Sequence, residues 1–165
     1  MIYKPAEDTE LALRAIEALE GDVCVDVGSG SCIIARKLAT RCRWTLAIDI
    51  EPQACKTCPK EVDVICGSGP TSLRRADVVV SNLPYLPPEE PLDPSIHDLG
   101  LTQQVLRWIS MYRPRTVVLV FSSLGRATHI TEALNAMCTI VRVEKLHLFF
   151  ESIYAVTAAC GQPRR

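Results

Sequence analysis

The stretch Val25-Asp26-Val27-Gly28-Ser29-Gly30-Ser31-Cys32 decides the reading of the fold. Its first half closes an apolar run over residues 22–27, and its second half leads straight into helical spacing over residues 31–40. A strand that passes through a glycine-bearing turn into a helix is the unit at which doubly wound sheets hold ligands, outside the carboxyl ends of their strands. The glycines permit a tight turn and let backbone approach a bound molecule closely. A nicotinamide-binding turn of the form G-x-G-x-x-G needs glycine at position 33, where Ile33 stands. A glycine pair by itself equally suits a plain strand-to-helix connection, so the reading depends on what flanks it.

Upstream, Leu11, Ala15, Ile16 and Leu19 share one face of a helix over residues 7–20, with Gly21 just past its end. Downstream, a strand over 44–48 ends in Asp49, a helical turn follows Pro52, and further strands occupy 62–66 and 76–80. The fourth strand runs out at Ser81-Asn82. Residues 83–98 hold five prolines and read as a long loop, of the kind that is usually functional. Helical spacing resumes over 99–111, a fifth strand covers 116–121, a helix 126–136, and a strand pair 140–146 and 152–158 closes the chain. This alternation predicts an α/β domain of Rossmann-like type: a mostly parallel seven-stranded sheet with an antiparallel edge strand and helices on both faces. A single domain over residues 1–160 and a frayed tail over 161–165 are expected.

In 165 residues, 18 basic side chains face 19 acidic ones, so the field of a stand-alone nucleic-acid binder is missing. The opening residues show no apolar run behind a basic region, and eighteen consecutive apolar residues occur nowhere. A soluble cytoplasmic protein is expected, with no membrane partner. The eight cysteines then read as buried thiols, Cys24 and Cys66 inside apolar runs among them. Disulfides are expected only if the source is a hyperthermophile. Cys55-Lys56-Thr57-Cys58 has the spacing of half a zinc site, but nothing completes it, and no metal is expected.

Two acids give the turn a ligand. Asp26 stands at the first strand end, where a carboxylate meets the ammonium group of an amino-acid ligand. Asp49, with Ile50 after it, ends the second strand, where an acid accepts both ribose hydroxyls. Together they describe an adenosyl amino acid, S-adenosylmethionine, rather than NAD. The third strand leads into Gly67 and Ser68, expected adenine contacts, although acids are usual there.

At the other end of the site, Asn82-Leu83-Pro84-Tyr85 follows the fourth strand. The Asn82 amide oxygen and the carbonyl of Leu83 or Pro84 can accept both hydrogens of a planar NH2 group. Tyr85 offers that plane a flat face. Asn82, Pro84 and Tyr85 are the expected catalytic set. Methyl transfer to such a nitrogen needs alignment rather than a strong base. A proline turn with a capping asparagine is the plain alternative for so short a motif.

Asn82-Leu83-Pro84-Tyr85-Leu86-Pro87 resembles the NPPY-x-P motif of HemK-type glutamine methyltransferases, and Tyr3-Lys4-Pro5-Ala6-Glu7-Asp8-Thr9 is similar to the opening of their archaeal and eukaryotic branch. The resemblance runs from Tyr3 to the Phe149-Phe150-Glu151 region. It implies a class I methyltransferase fold without a separate substrate domain, acting on a glutamine of a class-one peptide-chain release factor. It also implies a small zinc-binding activator subunit as partner, and Thr9, Asp26, Gly28, Gly30, Asp49 and Asn82 at the cofactor or catalytic positions. Cys32, Ser68 and Leu83 depart from the family pattern. Leu83 makes the motif resemble the RNA adenine dimethylases as well, so methylation of an RNA or DNA amino group is the second reading, and a non-catalytic cofactor-binding subunit the third.

Elsewhere the plain readings are preferred. His97 is expected to be a solvated loop residue, Trp108 core, His129 and His147 isolated, and Arg74-Arg75 and the Arg36–Arg43 basic group helix and turn surface. The third strand, as a sheet edge, is the expected docking site for a partner.

Overall fold

A computed structural model describes residues 6–161. Tyr3, Lys4 and Pro5 of the opening segment and residues 162–165 of the expected tail lie outside the described residues. The chain runs α1 (Glu7–Ala15), β1 (Gly21–Val27), α2 (Ile33–Leu38), β2 (Cys42–Asp49), α3 (Pro52–Cys55), β3 (Asp63–Cys66), a 3-10 turn (Gly69–Ser72) and β4 (Val78–Asn82). After the long loop come α4 (Leu101–Tyr112), β5 (Thr116–Ser122), α5 (Ala127–Met137), β6 (Thr139–His147) and β7 (Ser152–Ala159).

The seven strands form one sheet in the order β3-β2-β1-β4-β5-β7-β6. The first five in that order pair in parallel, and β7 runs antiparallel to both β5 and β6. Side-chain alternation sends the two faces of each central strand into different cores. Val25, Val27, Val117 and Leu119 pack with Val105 and Ile109 of α4 and Ile130 and Leu134 of α5. Val78, Val80, Val118 and Val120 pack with Leu11 of α1 and Ile34 and Leu38 of α2. Burial on both faces explains why β4 and β5 read as continuous apolar runs rather than alternating ones. Trp108 is core, as expected, and its indole N–H donates to the Leu73 carbonyl at 2.8 Å. Among the described residues no helix is long and apolar enough to cross a membrane.

Two helix boundaries differ from the periodicity. α1 stops at Ala15 rather than continuing to residue 20, because the chain must turn through 16–20 to enter β1, and Arg115 holds that turn by donating to the Glu20 carbonyl. α4 begins at Leu101 rather than 99, because the Asp98 carboxylate accepts from the N–H groups of Gly100 (3.0 Å) and Thr102 (3.3 Å) and so caps the helix from outside.

The cysteine expectation is corrected. All eight cysteines are paired, as Cys24–Cys42, Cys32–Cys58, Cys55–Cys66 and Cys138–Cys160. Cys24 and Cys66 are therefore not free thiols, and Cys66 is exposed at the end of an edge strand. The two cysteines of Cys55-Lys56-Thr57-Cys58 bond to other partners, which excludes both a redox pair and a metal half-site there. Contacts between separate elements create these pairings, and spacing along the chain does not show them.

Candidate active site

A cavity opens at the carboxyl ends of β1, β2 and β4, the neighbouring strands that carry Asp26, Asp49 and Asn82. Its floor is the turn after β1. The Gly28 and Ser29 N–H groups donate to the Ile48 carbonyl at 2.8 and 3.1 Å, tying the turn to β2. Gly28 lies at φ +76°, and a Cβ there would press on Leu101 at 3.3 Å. Cys32 holds a left-handed φ of 61°, which explains why glycine is usual at that place; here the Cys32–Cys58 disulfide pins the residue.

Asp49 Oδ2 accepts from Gly30 N–H at 2.7 Å and Oδ1 from Glu51 N–H at 2.8 Å. These bonds aim the carboxylate and leave acceptor capacity on each oxygen. Ile50, 54% exposed, forms the rim, and Gly67 and Ser68 line the wall beyond it. The Ser68 hydroxyl pairs with Gln104 of α4 at 3.0 Å. Ser29 lines this cavity, and its buried hydroxyl has no partner among the described residues. A buried hydroxyl without a partner is costly, and an acid with spare lone pairs beside an open glycine turn completes a cradle suited to an adenosyl amino acid. The residues present thus fit S-adenosylmethionine. Asp49→Ala is expected to weaken calorimetric binding of S-adenosylhomocysteine by about 1–3 kcal/mol, the scale for charged hydrogen bonds.

Asp26 departs from its expected place. Pleating turns its side chain to the α2 side of the sheet, where it is fully buried and does not line the cavity. Its Oδ2 accepts from the Ala35 N–H at 3.0 Å, in the first turn of a helix whose own N-cap, Cys32, supplies no side-chain bond. Burial pushes its pKa up to about 7, against the pull of the Ala35 N–H and with a further push from Asp49. The folded protein then holds a proton that the unfolded chain has released above its ordinary value of 3.8, so stability falls as pH rises from there to about 7. The fall is expected to be roughly 4 kcal/mol. Asp26→Asn removes the charge and should flatten that slope in urea titrations across the window.

At the reaction end, Asn82 Nδ2 donates to Asp8 Oδ2 at 2.8 Å. Asp8 is 3% exposed, and its other oxygen accepts from the Thr9 N–H at 2.7 Å. No hydrogen bond to Asn82 Oδ1 occurs among the described residues. The sequence pointed to Thr9, which lines the cavity, but passed over Asp8 beside it. Leu83 is buried, and its N–H donates to the Val120 carbonyl at 2.9 Å, extending the β4–β5 pairing by a bond that proline cannot make. Pro84 and Tyr85 line the cavity. Desolvation, then the charges of Glu151, Asp8 and Glu7, raise the Tyr85 pKa, so its hydroxyl stays protonated.

The long loop folds back on the motif: Leu86 N–H donates to the Ile96 carbonyl, and Asp98 N–H to the Leu86 carbonyl, both at 2.9 Å. His97 is consequently buried and lines the cavity instead of being solvated. Its Nδ1 accepts from the Asp93 N–H at 3.0 Å. The place of His97 beside the long loop allowed a substrate contact, although the solvated reading was preferred, whereas nothing in the sequence spacing pointed to Gln104, which reaches the site through tertiary folding. Among the described residues no group of three or more His, Cys, Asp or Glu is arranged to hold a metal.

The fold is shared with solved methyltransferases. The Mtq2–Trm112 complex of E. cuniculi, responsible for methylation of the eRF1 translation termination factor, has a chain that superposes with TM-score 0.76 at 21% identity, covering 96% of this chain and 98% of that one. This is the class I methyltransferase fold. A class I chain described as a putative RNA methyltransferase, from Pyrococcus horikoshii, superposes at 0.66 with 13% identity over 96% of this chain and 83% of that one. The fold alone therefore does not choose the acceptor. In sequence, this class I chain is 32% identical over 111 residues to methyltransferase HEMK2 of Homo sapiens and to that of Mus musculus, covering 54% of this chain and 52% of each relative. The resemblance to HemK-type enzymes holds, and the chain spans about half the length of the curated relatives it matches. No protein-family model matches the chain.

Proposed function

We propose that this chain is an S-adenosylmethionine-dependent methyltransferase that modifies the side-chain amide nitrogen of a glutamine in a class-one peptide-chain release factor. One observation supports the reading most: Asp8 occupies Asn82 Nδ2 and no hydrogen bond engages Asn82 Oδ1 among the described residues, which leaves a fixed amide with an open acceptor at a residue that lines the cavity together with Tyr85. The similarity to HEMK2 and to the structure of Mtq2 supports the choice of a protein acceptor.

In this reading Asp49 and the turn 28–30 hold the cofactor. When bound, S-adenosylmethionine supplies a methyl group on a sulfonium. Asn82 Oδ1 and the carbonyl of Leu83 or Pro84 accept the two hydrogens of the glutamine NH2 and fix its plane. Tyr85 packs against that plane, and the folded-back loop shields it from water. Holding two reactants in contact supplies up to roughly 7–11 kcal/mol of barrier reduction. No base is needed at the transition state: once the new N–C bond has made the nitrogen cationic and strongly acidic, its proton passes to solvent water as the products leave, and His97 Nδ1 is already engaged.

Asp8 acts through Asn82 as a positioning residue. Asp8→Asn is expected to lower kcat about tenfold or more, the cost of losing a charged hydrogen bond, with little change in cofactor affinity. Steady-state kinetics beside a calorimetric titration separates the two effects.

A partner subunit belongs to the proposal, since the Mtq2 structure is a complex with Trm112. β3, a sheet edge of four residues, is the proposed docking strand, and the zinc-binding character of the partner is carried over from the resemblance. The RNA reading stays second, on Leu83. Incubation of enzyme and partner with labelled cofactor and release factor, wild-type or glutamine-substituted, or with ribosomal RNA, tests the choice. Label is expected in the wild-type factor alone. Label in RNA, or in both forms of the factor, overturns the glutamine assignment.

A further inference from the structure

Resting on that function, we propose that the hairpin tip Phe149–Phe150 is a docking element for the release-factor polypeptide, seating an apolar side chain near the target glutamine. Phe149 is 95% exposed and Phe150 88%, the most exposed large apolar residues of the described chain. Their rings meet edge to face, with centroids 5.2 Å apart, so each stiffens the other. Apolar surface that has no partner within a fold marks an interaction site.

The tip is tied to the reaction end. Leu148 N–H donates to the Glu151 carbonyl at 2.9 Å and closes the turn. The Glu151 carboxylate accepts from the Ser122 hydroxyl at the end of β5, and Ser152 N–H donates to the Ser123 hydroxyl at 2.9 Å. The loop beginning at Ser123 packs on the motif so closely that a Cβ on Gly125 would stand 2.8 Å from the Tyr85 Cβ. Glu151 also raises the pKa of Tyr85, which places its charge within electrostatic reach of the reacting group. Leu124, 52% exposed, sits on that loop with its N–H donating to the Ser122 hydroxyl at 3.0 Å, and adds a third apolar group to the rim. The tip is thus linked through Ser122, Ser123 and Gly125 to Tyr85 of the motif.

Charge selects the occupant. The loop 83–98 across the motif carries Glu89, Glu90, Asp93 and Asp98 and neither lysine nor arginine, and Glu151 adds an acid at the foot of the tip. Such walls repel the phosphates of RNA and of anionic lipid surfaces. They accommodate a polypeptide loop whose apolar residue lies on the phenylalanines and whose basic residues face the acids.

The test is steady-state methyl transfer to release factor by the wild-type chain with its partner and by Phe149→Ser/Phe150→Ser, with cofactor affinity measured alongside. The double variant is expected to raise KM for the factor about 30-fold, as for loss of an interface hot spot, with kcat and cofactor affinity unchanged. Unchanged KM overturns the proposal, as does a fall confined to kcat. Binding of anionic vesicles or a rise in KM for ribosomal RNA, lost or caused by the same substitutions, assigns the tip to lipid or RNA and overturns it too. If the wild-type chain does not methylate the factor, the functional reading itself fails, and that is seen before any variant is compared.

Discussion

Asn82→Ala is expected to lower kcat by about 100-fold or more, the scale for removing one positioned group that acts on the transition state. Asn82 is the last residue of β4, paired in register with Val120 of β5, so its backbone is fixed by the sheet while its side chain leaves the ladder at the cavity mouth. Asp8 then fixes the amide about its own axis. In the proposed reaction a glutamine nitrogen would meet an amide acceptor already fixed by Asp8, and little reorganisation would remain. Alanine removes that acceptor and leaves Asp8 buried without its partner, so the loss includes alignment as well as binding. The cofactor cradle at Asp49 and the turn after β1 is built without Asn82, so affinity for S-adenosylhomocysteine should change far less than turnover. A parallel fall in both would make Asn82 a cofactor ligand and not an aligning group.

Reduction of the disulfides is expected to unfold the domain. The bridges close loops with sequence separations of 18, 26, 11 and 22 residues. In the chain-entropy account each such loop contributes about 3 kcal/mol, while a whole domain is stable by only about 5–15 kcal/mol. Loss of all the bridges consumes that margin. Removal of a single pair by cysteine-to-alanine substitution should lower Tm by about 6–12 °C for a chain of this size. Two of the bridges have an added role: Cys32–Cys58 and Cys55–Cys66 fasten the segment after β2 to the glycine turn and to the end of β3, on either side of the cradle. Their loss should therefore also weaken cofactor binding. Titration of thiols in the denatured, unreduced protein checks the premise; eight free thiols would contradict it. Such bridges persist in oxidising compartments or inside hyperthermophiles, whose intracellular proteins are disulfide-rich.

The sheet was readable in the sequence because its signals are local. Apolar runs of strand length alternate with helical spacing, and Gly28, Gly30, Asp49 and Asn82 fall at turns and strand ends where chain order alone places them side by side. What depended on pleat or on distant contacts was not readable. Asp26 has the right position along the chain and the wrong face of the strand, so it steadies α2 instead of meeting a ligand. Asp8 lies 74 residues from Asn82, and no periodicity links them. His97 looked like a solvated loop residue until the loop folded back on Leu86 and buried it. The cysteines misled for a similar reason: Cys24 sits in an apolar run, as a buried thiol would, yet it bonds to Cys42 of the neighbouring strand β2 at a Cα separation of 6.1 Å.

The acceptor atom is the centre of the account, and mass-spectrometric mapping of release factor after reaction with the chain, its partner and S-adenosylmethionine addresses it most directly. The predicted result is one added methyl group, on the side-chain nitrogen of a single glutamine, absent when Asn82→Ala replaces the wild-type chain. A methyl group on lysine, arginine or a backbone atom, or an unmodified factor beside methylated adenine in ribosomal RNA, would contradict it.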